Sequence, residues 1–263
     1  MSHVLVFDIE TVPDVEAGRA ILGLHGLSDA SVAEAMFARQ RANNGREFLP
    51  HHLHKVVAIS VVMANHESVR VWSLGSPEDS EADLVRRFFD GVEKFSPVLV
   101  SWNGTGFDLP VLHYRALKHG VASPTYWETG DEIRDFRFNN YLSRYHARHT
   151  DLMDVLAGYT GRANAPLDEV ATMLGFPGKM GMSGAKVWEA YQAGDIKKIR
   201  DYCETDVLNT YLVYLQFERI RGRLSEGGLN EKHAQLKSML AQHSGLHLQA
   251  FLNAWDSTKE PSQ

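Results

Sequence analysis

The sequence predicts an α/β fold, one mixed β-sheet flanked by helices. Three observations predict it: a buried strand at the N-terminus, a hairpin pattern over 55–74, and a helix followed by another short strand before residue 103. Val4, Leu5, Val6 and Phe7 open the first strand, which continues through Asp8, Ile9 and Glu10 and is stopped by Pro13. From 14 to 50 the chain is rich in Ala, Gly and polar residues with helical spacing over 31–40, and the stretch of about 14–54 reads as an insertion. Residues 55–63 and 68–74 are β-branched runs joined by Ala64-Asn65-His66-Glu67, which suits a hairpin. Ser80 with Asp83 three residues on resembles a capping box, and Leu84, Val85, Phe88, Phe89 and Val92 follow at helical spacing. Another strand is expected over 98–102.

Asp195 is placed to cap a long helix whose buried stripe is Ile196, Ile199, Cys203, Val207, Thr210, Tyr211 and Tyr214, ending near Gly222. A second helical stretch covers 229–255, and the polar tail beyond it is expected to fray. The organisation expected is one domain over 1–223, with a C-terminal helical extension over 224–263.

A hydrophobic content of 44% with 23% charged residues is that of a globular protein, not a disordered one. Every apolar run is interrupted well before the roughly 18 residues a membrane span needs, so no membrane role is expected. The chain starts without a basic, cleavable leader and holds one cysteine, Cys203, which leaves no internal disulfide; a cytoplasmic location is the expectation. A net charge of −6 argues against a protein that coats duplex DNA through a broad basic face. It is compatible with acids gathered around divalent cations that then meet a phosphate.

Three acidic segments carry the chemistry. Asp8 and Glu10 lie two apart on a strand, so both carboxylates share one face while Phe7 and Ile9 share the other. Close carboxylates raise each other's pKa unless a cation sits between them, so the pair reads equally as two solvated acids or as a site for a hard ion. Asp108 closes the run Asn103-Gly104-Thr105-Gly106-Phe107-Asp108, which is either a glycine turn capping a helix from Leu109 or a loop that approaches a ligand closely. Tyr202 and Asp206 are four apart on the long helix and share a face.

Taken together, the order and spacing of these segments resemble the DEDD superfamily of 3′ to 5′ exonucleases, over roughly residues 3–220. The first carries Asp-x-Glu followed by Thr, here Asp8 to Thr11. The second carries Asn, three residues, then Phe-Asp, here Asn103 to Asp108, and the third carries Tyr, three residues and Asp, here Tyr202 to Asp206. The tyrosine places the resemblance in the DEDDy branch, among stand-alone predicted exonucleases related to the proofreading domain of family B DNA polymerases. The resemblance implies a ribonuclease H-like fold and a metal-dependent 3′ to 5′ exonuclease releasing nucleoside monophosphates. It implies that Asp8, Glu10 and Asp206 hold one ion, that Asp8 and, directly or through water, Asp108 hold a second, and that Tyr202 orients the attacking water. Thr11, Asn103 and Phe107 then contact the terminal nucleotides. All-oxygen ligands suit two Mg²⁺ or Mn²⁺ ions. Nucleic acid with a free 3′ end is the expected partner, single-stranded DNA by preference, with RNA as the first alternative and a catalytically silent binding module as the second.

Two departures stand out. The insertion lies outside the proofreading pattern, and no polymerase palm or thumb pattern follows, so editing for a covalently attached polymerase is not expected. Lys179 lies at a spacing before Tyr202 that resembles a phosphate-contacting lysine of some proofreading domains. Arg134, Arg137, Arg144 and Arg148 are interleaved with Phe136, Phe138, Tyr141 and Tyr145, which reads equally as a single-strand contact surface, with Arg144 as a substrate-binding candidate, or as an amphipathic helix. Asp151 and Asp154 read as structural, and His51, His52 and His54 as solvated or phosphate-touching rather than metal ligands.

Overall fold

The structure, a computed structural model, describes residues 3–258. Among the described residues, five strands, β1 (Val4–Pro13), β2 (His54–Ala64), β3 (Val69–Ser73), β4 (Val98–Ser101) and β5 (His149–Asp151), form one sheet in the order β3-β2-β1-β4-β5. β2 runs antiparallel to β1 and β3, whereas β4 and β5 run parallel, so the mixed sheet of the sequence reading is found. The helices are α1 (Val15–Leu22), α2 (Asp29–Asn44), α3 (Glu81–Phe95), α4 (Asp108–His119), α5 (Pro124–Trp127), α6 (Leu152–Leu156), α7 (Leu167–Met173), α8 (Val187–Gln192), α9 (Ile196–Ile220), α10 (Glu226–Gln242) and α11 (Leu246–Ser257). Among the described residues, no helix is long and apolar enough to cross a membrane.

The period of two in β1 divides the core. Leu5, Phe7 and Ile9 pack with α3 and α4 on one side, while Val4 and Val6 face the layer of α9, α10 and α11 on the other. Asp8 and Glu10 share the second face, so they meet α9.

Several local expectations need correction. The Ser80 hydroxyl accepts from the Asp83 N–H at 3.2 Å as a cap should, but it also donates to the Asp83 carboxylate at 2.6 Å; that carboxylate therefore meets the cap's hydroxyl. α2 extends beyond 31–40, from a Ser28 cap to a left-handed Gly45. Residues 229–255 are two helices, because His243 and Gly245 adopt extended backbone; the Leu240 carbonyl accepts from both the His243 N–H at 3.2 Å and the Gln249 side chain at 2.9 Å. No amphipathic helix spans 134–148: a short 3₁₀ turn at Arg134–Arg137 is followed by irregular chain. There Phe136 and Tyr141 are buried and Phe138 and Tyr145 are exposed. The expected fraying of the tail falls partly on 259–263, outside the described residues.

α10 and α11 contribute Leu229, Leu236, Leu240, Leu248, Phe251 and Trp255 to the same core as β1 and α9. The 14–53 segment has a small core of its own, Val32, Met36 and Leu49. Its first residue is pinned to the sheet layer, because the buried Arg115 of α4 pairs with both Asp14, at 2.6 Å, and Glu81.

Candidate active site

β1 presents Asp8 and Glu10 toward α9 just before an irregularity in its pairing with β2. Glu10 pairs with Ala58 but Thr11 with Val56, so Val57 is the extra residue of a bulge beside the acids. From α9 the Cys203 thiol donates to the Asp8 carboxylate at 3.4 Å, and one ligand atom each from Asp8, Glu10 and Cys203 lie within 4.8 Å of one another. The stripe residue Cys203 is therefore also a wall of the site.

The loop after β4 delivers Asp108. Asn103 adopts a left-handed backbone, φ 65°, which asparagine tolerates better than most residues. A Cβ at Gly104 would lie 2.1 Å from the Ser101 hydroxyl, and one at Gly106 2.4 Å from the Asn103 side-chain oxygen, so both glycines serve the loop's own packing. Asp108 is the first residue of α4, not its cap; the cap is Phe107, without a side-chain bond. The Asp108 carboxylate instead accepts from the Ile9 N–H at 3.2 Å. Asp151 at the end of β5 accepts from Asn103 N–H and Thr105 N–H, both at 2.9 Å, and so holds the loop in shape.

Electrostatics set the four acids apart from ordinary surface carboxylates. Burial and the charges of Asp108 and Asp206 push the Asp8 pKa well up, and burial with Asp8, Asp206 and Asp108 does the same to Glu10. Asp108 is raised to about 7 by burial, with Asp151 adding repulsion. Asp206 is raised to about 6 by burial, and the Tyr202 hydroxyl beside it opposes the rise. Burial and the neighbouring charges of Asp206 and Glu10 push the Tyr202 phenol far up, so it stays protonated, with Asp206 as its hydrogen-bond partner.

Lys179 acts on Asp206 with the opposite sign, lowering its pKa. Its loop is fastened to α9 by Asn209, whose side chain accepts from Gly178 N–H at 3.1 Å and donates to the Gly178 carbonyl at 2.7 Å. Asn209 escaped the sequence reading; its one signal was a spacing of three from Asp206, on the same helix face.

His54 corrects another expectation, because it is buried and burial lowers its pKa to about 4. The neutral ring must donate through Nε2 to the Leu49 carbonyl at 3.0 Å, so Nδ1 accepts from the Thr11 hydroxyl at 2.8 Å. Thr11 is thereby left with oxygen lone pairs that can accept from a ligand. His51 bonds the Gly106 carbonyl at 2.8 Å. Arg144 is committed to Asp154, at 3.0 Å through Nε, and lies over the Tyr145 and Tyr159 rings at 5.9 and 5.4 Å. A phosphate would have to compete with Asp154 for it.

The family described as "Predicted 3'-5' exonuclease related to the exonuclease domain of PolB" matches residues 46–255. The match takes in Asp108, Tyr202 and Asp206 and begins after β1. The chain is also similar to DNA polymerase 1 of Sulfurisphaera ohwakuensis, 32% identical over 168 residues, which is 58% of this chain and 18% of that protein. The chain thus spans a small part of the length of this relative.

Proposed function

Because the chain belongs to this family of predicted 3′-5′ exonucleases related to the PolB exonuclease domain and shares its ribonuclease H-like α/β fold, we propose that it shortens single-stranded DNA from the 3′ end. Nucleoside monophosphates leave, and Asp8, Glu10, Asp108 and Asp206 hold two Mg²⁺ or Mn²⁺ ions. The observation that carries the reading is the convergence of four carboxylates from β1, α4 and α9: burial raises the pKa of all four, and the charges of Asp108 and Asp206 raise Asp8 and Glu10 further. Such a set favours a hard divalent cation: its donors are oxygens, and binding an ion relieves the repulsion. Cys203 adds a soft atom beside this oxygen set.

Asp8, Glu10 and Asp206 would hold one ion, and Asp8 with Asp108 the other. When bound, the ions supply Lewis-acid stabilisation of the entering and leaving oxygens. The chain's own residues do the positioning. Tyr202, kept as a phenol, donates a hydrogen bond that orients the attacking water, whose oxygen bonds to phosphorus as the bond to the preceding nucleotide's 3′ oxygen breaks. Thr11, its proton already given to His54, accepts from the terminal 3′-hydroxyl. Asn103 and Phe107 lie along the terminal nucleotides, Lys179 meets a phosphate, and Arg144 is a more distant strand contact.

The test is hydrolysis of an end-labelled strand with Mg²⁺ or Mn²⁺, with EDTA, and by Asp8→Asn. Loss of cleavage in both EDTA and the variant is expected; full activity after thorough chelation removes the metal reading.

A further inference from the structure

The 14–53 segment does not sit apart from the acids. Its end folds over β1 and closes a cavity of about 500 Å³, whose lining includes Glu10 and Thr11 on β1, Phe37 and Phe48 from the segment, Phe107 from the Asp108 loop, and Trp188 of α8. That volume lies within the roughly 300–1,000 Å³ of small-molecule pockets, enough for one nucleotide. The cavity runs directly off Glu10, so whatever enters it is continuous with the chemistry at the acids.

Phe48 is the unusual member. It is 57% exposed, although its ring lies 5.4 Å from Phe107 and 5.2 Å from His54 between centroids. The Phe48 and Phe107 planes meet at 58°, which makes a corner with one open aromatic face, not a parallel slot.

The corner is also held in place. Leu49 beside Phe48 is buried and its carbonyl accepts from His54 at 3.0 Å, while His51 ties the segment to the Gly106 carbonyl at 2.8 Å. Asp14 N–H bonds the Leu53 carbonyl at 2.8 Å and so closes the segment's base. A fixed aromatic face costs little ordering entropy when a ligand lies on it.

We propose that the 14–53 segment supplies Phe48 as a stacking platform which, cornered by Phe107, receives the nucleobase of the 3′-terminal nucleotide. The inference rests on the nuclease reading for the identity of its ligand. Every base has a π-face, so the platform selects for the presence of an unpaired terminal base and not for its sequence. Thr11 on the same wall meets the sugar's 3′-hydroxyl, and the adjoining phosphate is directed to Glu10 and its neighbours.

The experiment is equilibrium binding of 5′-fluorescein single strands that end either in a normal nucleotide or in an abasic one. It is measured in Ca²⁺, a divalent ion that also prefers oxygen ligands. The parent should bind the base-ended strand roughly five- to 150-fold more tightly, the range a base–aromatic stack is worth. Phe48→Ala should lose most of that preference, its base-ended binding falling toward the parent's abasic level, and Phe48→Leu, which keeps bulk without the ring face, should fall between. Equal binding of the two strands by the parent, no binding of either, or an intact preference in Phe48→Ala overturns the proposal. Cleavage in Mg²⁺ is read in parallel. A parent that prefers the base-ended strand but cleaves neither supports the platform while contradicting the nuclease reading.

Discussion

The Asp108 carboxylate accepts a hydrogen bond from the Ile9 N–H at 3.2 Å, joining residues 99 apart in the chain. Ile9 is the residue between the two acids of β1, so one bond sets the distance from α4 to both. Asp108→Asn keeps an oxygen for Ile9 while removing the charge. It should fold with at least the parent's metal-free stability, yet lose more activity than the roughly 10- to 100-fold typical of an outer-shell partner. Asp108→Ala leaves the Ile9 N–H without its acceptor and should cost a further ~1–3 kcal/mol in denaturant unfolding. An active Asp108→Asn would remove Asp108 from the ion-holding set.

The acids also set a pH dependence. Asp108 and Asp206 have folded-state pKa values of about 7 and about 6, above the roughly 3.9 of an unfolded aspartate, and Asp8 and Glu10 are shifted the same way. A group raised on folding contributes stability that is present below its unfolded pKa and lost as pH rises through its folded pKa. The metal-free protein should therefore lose stability between about pH 4 and pH 7. Mg²⁺ or Mn²⁺, which displaces those protons, should raise the melting temperature more at pH 8 than at pH 5. Thermal melts across that range with and without ion check it; an equal ion effect at both pH values contradicts the cluster's role.

Asp151 shapes the Asn103–Asp108 loop by accepting two backbone N–H groups, each at 2.9 Å. Asp151→Ala should destabilise the protein by about 1–3 kcal/mol. It should slow turnover through misplacement of Asp108, with Asp151→Asn milder because one acceptor survives. Unfolding midpoints and turnover at saturating ion check this; unchanged turnover in Asp151→Ala would show that the loop keeps its shape without the anchor.

What could be read from the chain follows from the range of the forces involved. Asp8 and Glu10 were legible because strand periodicity is local, and Tyr202 with Asp206 because helix periodicity is. β5 was not: three residues are too few to show alternation, and His149–Asp151 becomes a strand only by pairing with Leu99–Ser101. The 134–148 run looks helical in spacing, yet its conformation follows tertiary partners such as Tyr126, which stacks on Tyr141 at 5.5 Å. Cys203 was placed on the buried stripe, but that this stripe meets Asp8 depends on how α9 crosses β1. His54 likewise acquires its meaning from Thr11, 43 residues earlier.

Tyr202 separates this account from a general acidic metal site. With its pKa pushed far up by burial and by Asp206 and Glu10, it acts only as a neutral donor. Tyr202→Phe should keep the fold and ion binding while turnover falls by roughly 10² to 10⁴, with little change in substrate affinity. Parental turnover at saturating Mg²⁺ would reduce Tyr202 to a packing residue.

The most direct measurement is the product pattern from a 5′-labelled single strand incubated with the purified protein and Mg²⁺. A ladder that shortens one nucleotide at a time from the 3′ end is expected, with protection of a strand whose 3′ end is blocked. Release of the labelled 5′ nucleotide, or cutting of a circular strand, would contradict it.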